Sequence, residues 1–356
     1  MDSVESSHMP VPGEFHSRLE PESGGRDLRP GDQAVGPCDR SLRRPAAARP
    51  PHAPERGWSW RLLGPFHITG VFWYRFHGWI IRSVPGPLLR VVSVVFALLF
   101  FVCLRNIRAA IASNLEAVLG PCGWWERQRR IYGTIWSFGW CLNERHERLT
   151  THRPFRIEAE AIENWNEVAV PGRGLVLVTA HLGNFEVGSM LPSELQGRHV
   201  HLVREPEVDA QAQAFLQEVL AGFTQAQYTM HFQNDDPLQG IELLDALRRG
   251  EIVATQGDRP RAGGRSIDAT LFGRPFPLPP GPAALARTAD APLLPVFVFR
   301  EGRRRYRVVF RPPIHAARTD DIIADLTAAM GRVVTEIEWA IRRAPHQWFC
   351  FRRLWP

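Results

Sequence analysis

Hydrophobic patterning changes character along the chain. From Val91 to Leu104 the residues are apolar on every side of a helical projection, closed by Arg90 before and Arg105 after. The run is shorter than the roughly 20 residues that span a bilayer. Two readings stand: a buried core helix, or a shallow or re-entrant membrane helix. Arginine at both ends favours the second, as do Trp58, Trp60, Trp73, Tyr74 and Trp79 just upstream, since such rings suit the membrane interface. Ile107, Ile111, Leu115 and Leu119 then recur at a spacing of four until Gly120-Pro121, which predicts an amphipathic helix. A second helix is expected from about Trp124 to Leu149. Together these make residues 58–150 an N-terminal, membrane-associating helical cap.

From Phe155 the pattern alternates between strands and helices. Strands are expected at Leu175–Val178, His199–Val203, Glu251–Thr255, Leu293–Phe299 and Tyr306–Phe310, the last two joined by a charged turn. Helical periods cover Ala210–Phe223, Leu238–Arg249 and Asp320–Arg343. The fold class is therefore α/β, a mostly parallel central sheet flanked by helices over residues 151–356. Residues 1–57 stand apart: rich in Pro, Gly, Arg and Ser, with Phe15 the one aromatic, they lack the apolar surface to offset chain entropy. Disorder is expected there, and a translation start downstream of this tail would leave the folded part intact.

Of 356 residues 44% are hydrophobic, enough for a sizeable core, and all 43 Lys+Arg positions are arginine. The lack of lysine excludes a phosphate-loop or Schiff-base lysine, while arginine still suits phosphates and carboxylates. A net charge of +6 fits acidic headgroups, an acidic carrier protein or nucleic acid. The five cysteines, Cys38, Cys103, Cys122, Cys141 and Cys350, include no Cys-x-x-Cys pair, so neither a metal nor a redox motif is suggested and a reducing compartment fits. Gly-x-Ser-x-Gly and His-Glu-x-x-His are absent, which sets aside α/β serine hydrolases and zinc hydrolases of those types. Nucleic-acid binding, the rival suggested by charge, finds its arginines dispersed and no recognisable module.

Candidate chemistry gathers in Thr179-Ala-His-Leu-Gly-Asn-Phe-Glu186. His181 follows directly on a strand, the position where open α/β sheets place their sites. Asn184 suits the N-cap of a helix carrying Glu186 to Met190. A carboxylate five residues on could orient His181 and stabilise its imidazolium; the same spacing also serves a purely structural hydrogen bond. Gly183 would let backbone approach closely and aim N–H groups at a developing oxyanion.

His181, Gly183, Asn184, Phe185 and Glu186 match the His-x-Gly-Asn-aromatic-Glu block of the bacterial lipid A lauroyl/myristoyl acyltransferases, within the lysophospholipid acyltransferase superfamily, and the chain resembles that family from about Trp58 to Trp355. Val203-Arg204-Glu205-Pro206, Gln256-Gly-Asp-Arg-Pro260, Leu271-Phe-Gly-Arg-Pro-Phe-Pro277, Pro280-Gly-Pro-Ala-Ala-Leu-Ala286, Ala291-Pro-Leu-Leu-Pro-Val-Phe297 and the closing Gln347-Trp-Phe-Cys-Phe-Arg-Arg-Leu-Trp355 follow in the family's order. The resemblance implies an O-acyltransferase with no metal and no cofactor, using acyl carrier protein or acyl-CoA as donor and a lipid or glycolipid acceptor. It implies a place on the cytoplasmic face of a bacterial inner membrane and no nucleic-acid partner. His181 would be the general base and Glu186 its orienting partner, with backbone N–H groups near Gly183, and Arg204 or Arg259, on the oxyanion. Gly183, Asn184, Arg204, Asp258, Arg259 and Gly281 are expected to contact substrate, with plainer readings beside the last four: a surface ion pair for Arg204, a turn cap for Asp258, an equally structural part for Arg259, a helix start for Gly281. Trp348 and Phe349 read as packing. The stretch from Arg259 to Leu271 departs from the lipid A pattern and also resembles relatives that acylate aryl polyenes or other glycolipids, which leaves the acceptor open.

Overall fold

The computed structural model describes residues 76, 78–80, 83–151, 155–185, 197–205, 228–232, 237–259 and 266–355. The expected disordered tail, residues 58–75, the 210–223 helix and the Glu186–Met190 helix lie outside these. Everything described belongs to the second of two compact units, Pro51–Pro356.

Among the elements whose bounds are described, three helices come first: α1 Gly86–Cys103, α2 Arg105–Leu119 and α3 Trp124–Thr151. The apolar run falls on α1 but not in a core. Leu88, Val91, Val95, Leu98, Leu99 and Val102 are all exposed, Val102 by 65%, whereas Ala97 on the opposite face is buried. That disfavours the buried-core reading. No single described helix is long and apolar enough to cross a membrane, though α1 and α2 pass by length and composition as a pair bent by 89°. A small core of Ala97, Ile111, Ala112, Leu115, Ile131 and Ile135 joins the three helices. Asn143 Nδ2 donates to Ser93 Oγ at 2.9 Å, pinning α1 to α3.

The α/β part then runs β1 Arg156–Glu160, α4 Ile162–Val168, β2 Leu175–Thr179, β3 Val200–Arg204, β4 Tyr228–Phe232, α5 Pro237–Arg248, β5 Ile252–Gln256, β6 Thr270–Leu271, β7 Arg274–Pro275, α6 Gly281–Ala289, β8 Leu293–Gly302, β9 Arg305–Phe310 and α7 Ile322–Arg343. Where the expected strands and helices fall on described residues, they appear within about two residues at each end, save the tail of β8. Among the described residues seven strands form one sheet in the order β1-β9-β8-β2-β5-β3-β4. From β8 to β4 every pairing is parallel; β9 turns back antiparallel to β8, and β1 runs parallel to β9.

β2 shows why the sheet sits mid-molecule. Leu175 and Leu177 pack on one face with Trp165 and Val298, while Val176 and Val178 pack on the other with Phe297, Met330 and Ile337. A strand buried on both faces reads as an unbroken apolar run, each such side chain contributing about 1.5–3 kcal/mol. Helix α7 closes the second face, opened by Asp321 Oδ1 accepting from Ala324 N at 3.0 Å.

The end of the described chain, 345–355, laces the two parts together. Asn114 of α2 donates Nδ2 to the carbonyls of Cys350 and Arg352 at 3.1 and 2.9 Å and accepts from Leu354 N at 3.2 Å. Phe138 of α3 sets its ring edge-on to Phe349 and Phe351.

Candidate active site

Parallel pairing of β2 with β5, Thr179 opposite Gln256, brings two carboxyl ends side by side. Gly257 N then donates to Thr179 O at 2.9 Å, so the chains leave the sheet together. Two residues further on each, His181 Nδ1 meets Asp258 Oδ1 at 2.7 Å across 77 positions of sequence. The Asp258 side chain is 0% exposed and that of His181 is 14% exposed. The second carboxylate oxygen, Oδ2, accepts from Trp348 Nε1 at 2.9 Å.

Electrostatics fit a neutral imidazole beside an ionised carboxylate. Burial pushes the Asp258 carboxyl up, but the His181 imidazole, Arg259 and the indole N–H outweigh it and hold it well below the usual carboxylate range. Burial pushes His181 below its ordinary value; Asp258 pulls it back up in part, and Arg259 adds to the lowering. With Nδ1 engaged by an acceptor, that nitrogen carries the proton and Nε2 is the basic one.

The turn bearing His181 is clamped on both sides. Leu182 forms an antiparallel bridge with Trp348, Phe349 N donates to His181 O at 2.8 Å, and Gly183 N donates to Gln347 O at 2.9 Å. Gly183 has φ +58, and a Cβ there would stand 2.1 Å from Val298 O. Only glycine allows both the backbone angle and that approach. Its N–H is spent on Gln347, so Gly183 shapes the turn, and any oxyanion donor near it is another N–H.

The remaining expected residues divide. Asn184, 4% exposed, donates Nδ2 to Tyr306 Oη at 3.3 Å, and Phe185 sets its ring edge-on to His181 at 5.0 Å. Glu186, the expected partner of His181, lies outside the described residues; Nδ1 of His181 is taken by Asp258. Asp258 itself is too enclosed to present its carboxylate to a substrate. Arg259 donates Nη2 to Phe349 O at 3.0 Å and has Nη1 3.9 Å from Glu205; its buried Nε has no partner among the described residues. Arg204 ends β3, half-buried, two residues past the Leu202–Ala254 pair and so on the same sheet edge. Gly281 opens α6 in an exposed position, with no hydrogen bond to His181 or Asp258. Trp348, read from sequence as packing, is packed and also bonded to Asp258. Among the described residues no group of three or more His, Cys, Asp or Glu could hold a metal ion.

Residues 57–356 match the family described as bacterial lipid A biosynthesis acyltransferase. The chain is also similar to the phosphatidylinositol mannoside acyltransferase of Mycobacterium tuberculosis (strain CDC 1551 / Oshkosh), with 26% identity over 182 residues covering 48% of this chain and 53% of that protein. It thus spans about half the length of this curated relative.

Proposed function

The chain belongs to the bacterial lipid A biosynthesis acyltransferase family, and from that premise we propose that it is an O-acyltransferase. It moves a fatty acyl chain from a thioester, on acyl carrier protein or coenzyme A, to a hydroxyl of a lipid or glycolipid. The family favours a lipid A precursor as acceptor; the relative named for phosphatidylinositol mannoside favours a related glycolipid. The observation that carries the proposal is the His181–Asp258 contact at the carboxyl edge of the sheet.

In this reading His181 Nε2 takes the proton of the acceptor hydroxyl as its oxygen attacks the thioester carbonyl. The tetrahedral intermediate collapses, the C–S bond breaks, and the leaving thiolate takes the proton back from the imidazolium. Asp258, in place of Glu186, fixes the tautomer and balances the imidazolium charge. Arg259, whose charge already acts on His181, stabilises the oxyanion. Arg204 contacts a phosphate of donor or acceptor. The exposed apolar face of α1, with Trp79, Trp124 and Trp125 also exposed, rests on the cytoplasmic face of the inner membrane.

The decisive experiment is thiol release from lauroyl-CoA and from lauroyl acyl carrier protein with an added lipid A precursor. His181→Ala abolishes turnover in a folded protein, and Asp258→Asn lowers kcat by about 10²–10⁴-fold, as expected for loss of a tautomer-fixing carboxylate. Near-normal turnover by His181→Ala sinks the mechanism, and a larger loss in Glu186→Gln than in Asp258→Asn returns the orienting role to Glu186.

A further inference from the structure

We infer that Glu144, on helix α3, is a positioning residue for the catalytic turn, acting through Tyr306 on Asn184; this rests on the acyltransferase reading above. Glu144 is 1% exposed, although it lies in an amphipathic helix of the N-terminal part. A buried carboxylate is tolerated only when its lone pairs are filled, and here they are. Oε2 accepts from Arg300 Nε at 3.0 Å and from the Tyr306 hydroxyl; Oε1 accepts from Arg300 Nη2 at 2.8 Å and Arg304 N at 3.1 Å.

The polarity of this cluster propagates. An ionised carboxylate only accepts, so Tyr306 must donate its single O–H to Glu144. The phenolic oxygen is then an acceptor towards its other neighbour, and Asn184 must present Nδ2, as it does at 3.3 Å. Glu144 thereby fixes which way round the Asn184 carboxamide stands, three residues after His181. A second line runs from the same arginine. Arg300 N donates to Gln347 Oε1 at 2.8 Å, Gln347 Nε2 donates to Arg300 O at 2.9 Å, and Gln347 O holds Gly183 N. Both lines end on adjacent residues of the turn.

The plainer alternative is that Glu144–Arg300 merely anchors α3 to the sheet. Loss of an anchor lowers the melting temperature and leaves the turnover of the folded fraction alone; loss of positioning lowers kcat with KM unmoved. Tyr306→Phe removes one oxygen and keeps the ring packed on Phe155, and Glu144→Gln keeps the shape of the side chain. With the lauroyl thioesters above, each is expected to lower kcat about tenfold with KM within twofold. Glu144→Gln combined with Asn184→Ala should lose no more than Asn184→Ala alone, since groups on one line are not additive. Multiplying losses, or wild-type kcat in Tyr306→Phe, overturn the proposal. Should Glu144→Gln fail to fold, Tyr306→Phe still decides. Backbone hydrogen exchange over residues 181–185 gives a readout independent of turnover: Tyr306→Phe should speed it about tenfold, beyond a core variant of equal melting temperature. Unchanged exchange overturns the proposal whether or not the thioesters are substrates. A wild-type protein inert towards both thioesters, with exchange accelerated in the variant, faults the acyltransferase reading instead.

Discussion

Trp348 donates its indole N–H to Asp258 Oδ2 at 2.9 Å while the other oxygen of that carboxylate holds His181 Nδ1 at 2.7 Å. The indole draws off part of the carboxylate charge. Trp348→Phe keeps most of the ring and removes the donor, which leaves a buried oxygen one partner short, a loss of about 1–3 kcal/mol. The negative charge then weighs more on His181 and favours its acid form. The acid limb of the kcat/KM profile should therefore move to higher pH. A profile that keeps its limb in place would make Trp348 packing alone.

Gly183→Ala should damage both fold and turnover. The added methyl would lie 2.1 Å from the Val298 carbonyl, at φ +58. The Val298 carbonyl cannot yield cheaply, since it belongs to sheet backbone. A loss of about 2 kcal/mol or more is expected in urea melts; a variant as stable as the parent would show that the turn is not clamped as described.

Much of this region was legible in the sequence, and the limits are physical. Leu175–Thr179 announces a buried strand because nothing polar interrupts it, and His181 follows where such strands open their sites. Local spacing is what a sequence displays, and it points to Glu186 as the partner of His181. Asp258 reaches His181 through strand pairing, which brings together residues 77 positions apart and leaves no periodic trace. Trp348 read as packing because an aromatic in an apolar segment looks the same whether or not its N–H is spent on a carboxylate. Glu144 was hidden for a related reason: one more acidic residue on an amphipathic helix gives no sign that it is turned inward.

Stability should fall on mild acidification. Burial holds His181, His199, His231 and His346 below their ordinary value in the folded protein. The unfolded chain, with histidines near pKa 6.5, takes up protons that the folded one refuses. Unfolding free energy therefore declines as pH drops from about 7 towards 5. Asp258, whose folded pKa is depressed, stabilises above its unfolded value of about 3.9 and loses that contribution only in stronger acid. Urea midpoints at pH 7.5, 6 and 5 test this; a flat series would contradict it.

Vesicle binding should depend on α1. Val95 is 58% and Val102 65% exposed on a helix face without charge. Val95→Glu with Val102→Glu should cut co-sedimentation with phosphatidylglycerol-containing vesicles at least tenfold while leaving the melting temperature unchanged, since a carboxylate resists insertion among acyl chains. Undiminished binding would remove α1 from the proposed membrane contact.

The lacing of residues 347–355 across the site also sets a timetable. A chain emerges from the ribosome N-terminal end first, so α1 is available to a bilayer early in synthesis. His181 and Asp258 follow, but the carbonyl that holds Gly183 and the indole that steadies Asp258 arrive, with Phe349 beside them, only at the end of the described chain. If α1 meets the bilayer and the site turns over a thioester as proposed, a nascent chain finds its place before it can react, and a prematurely stopped one occupies that place without consuming its donor.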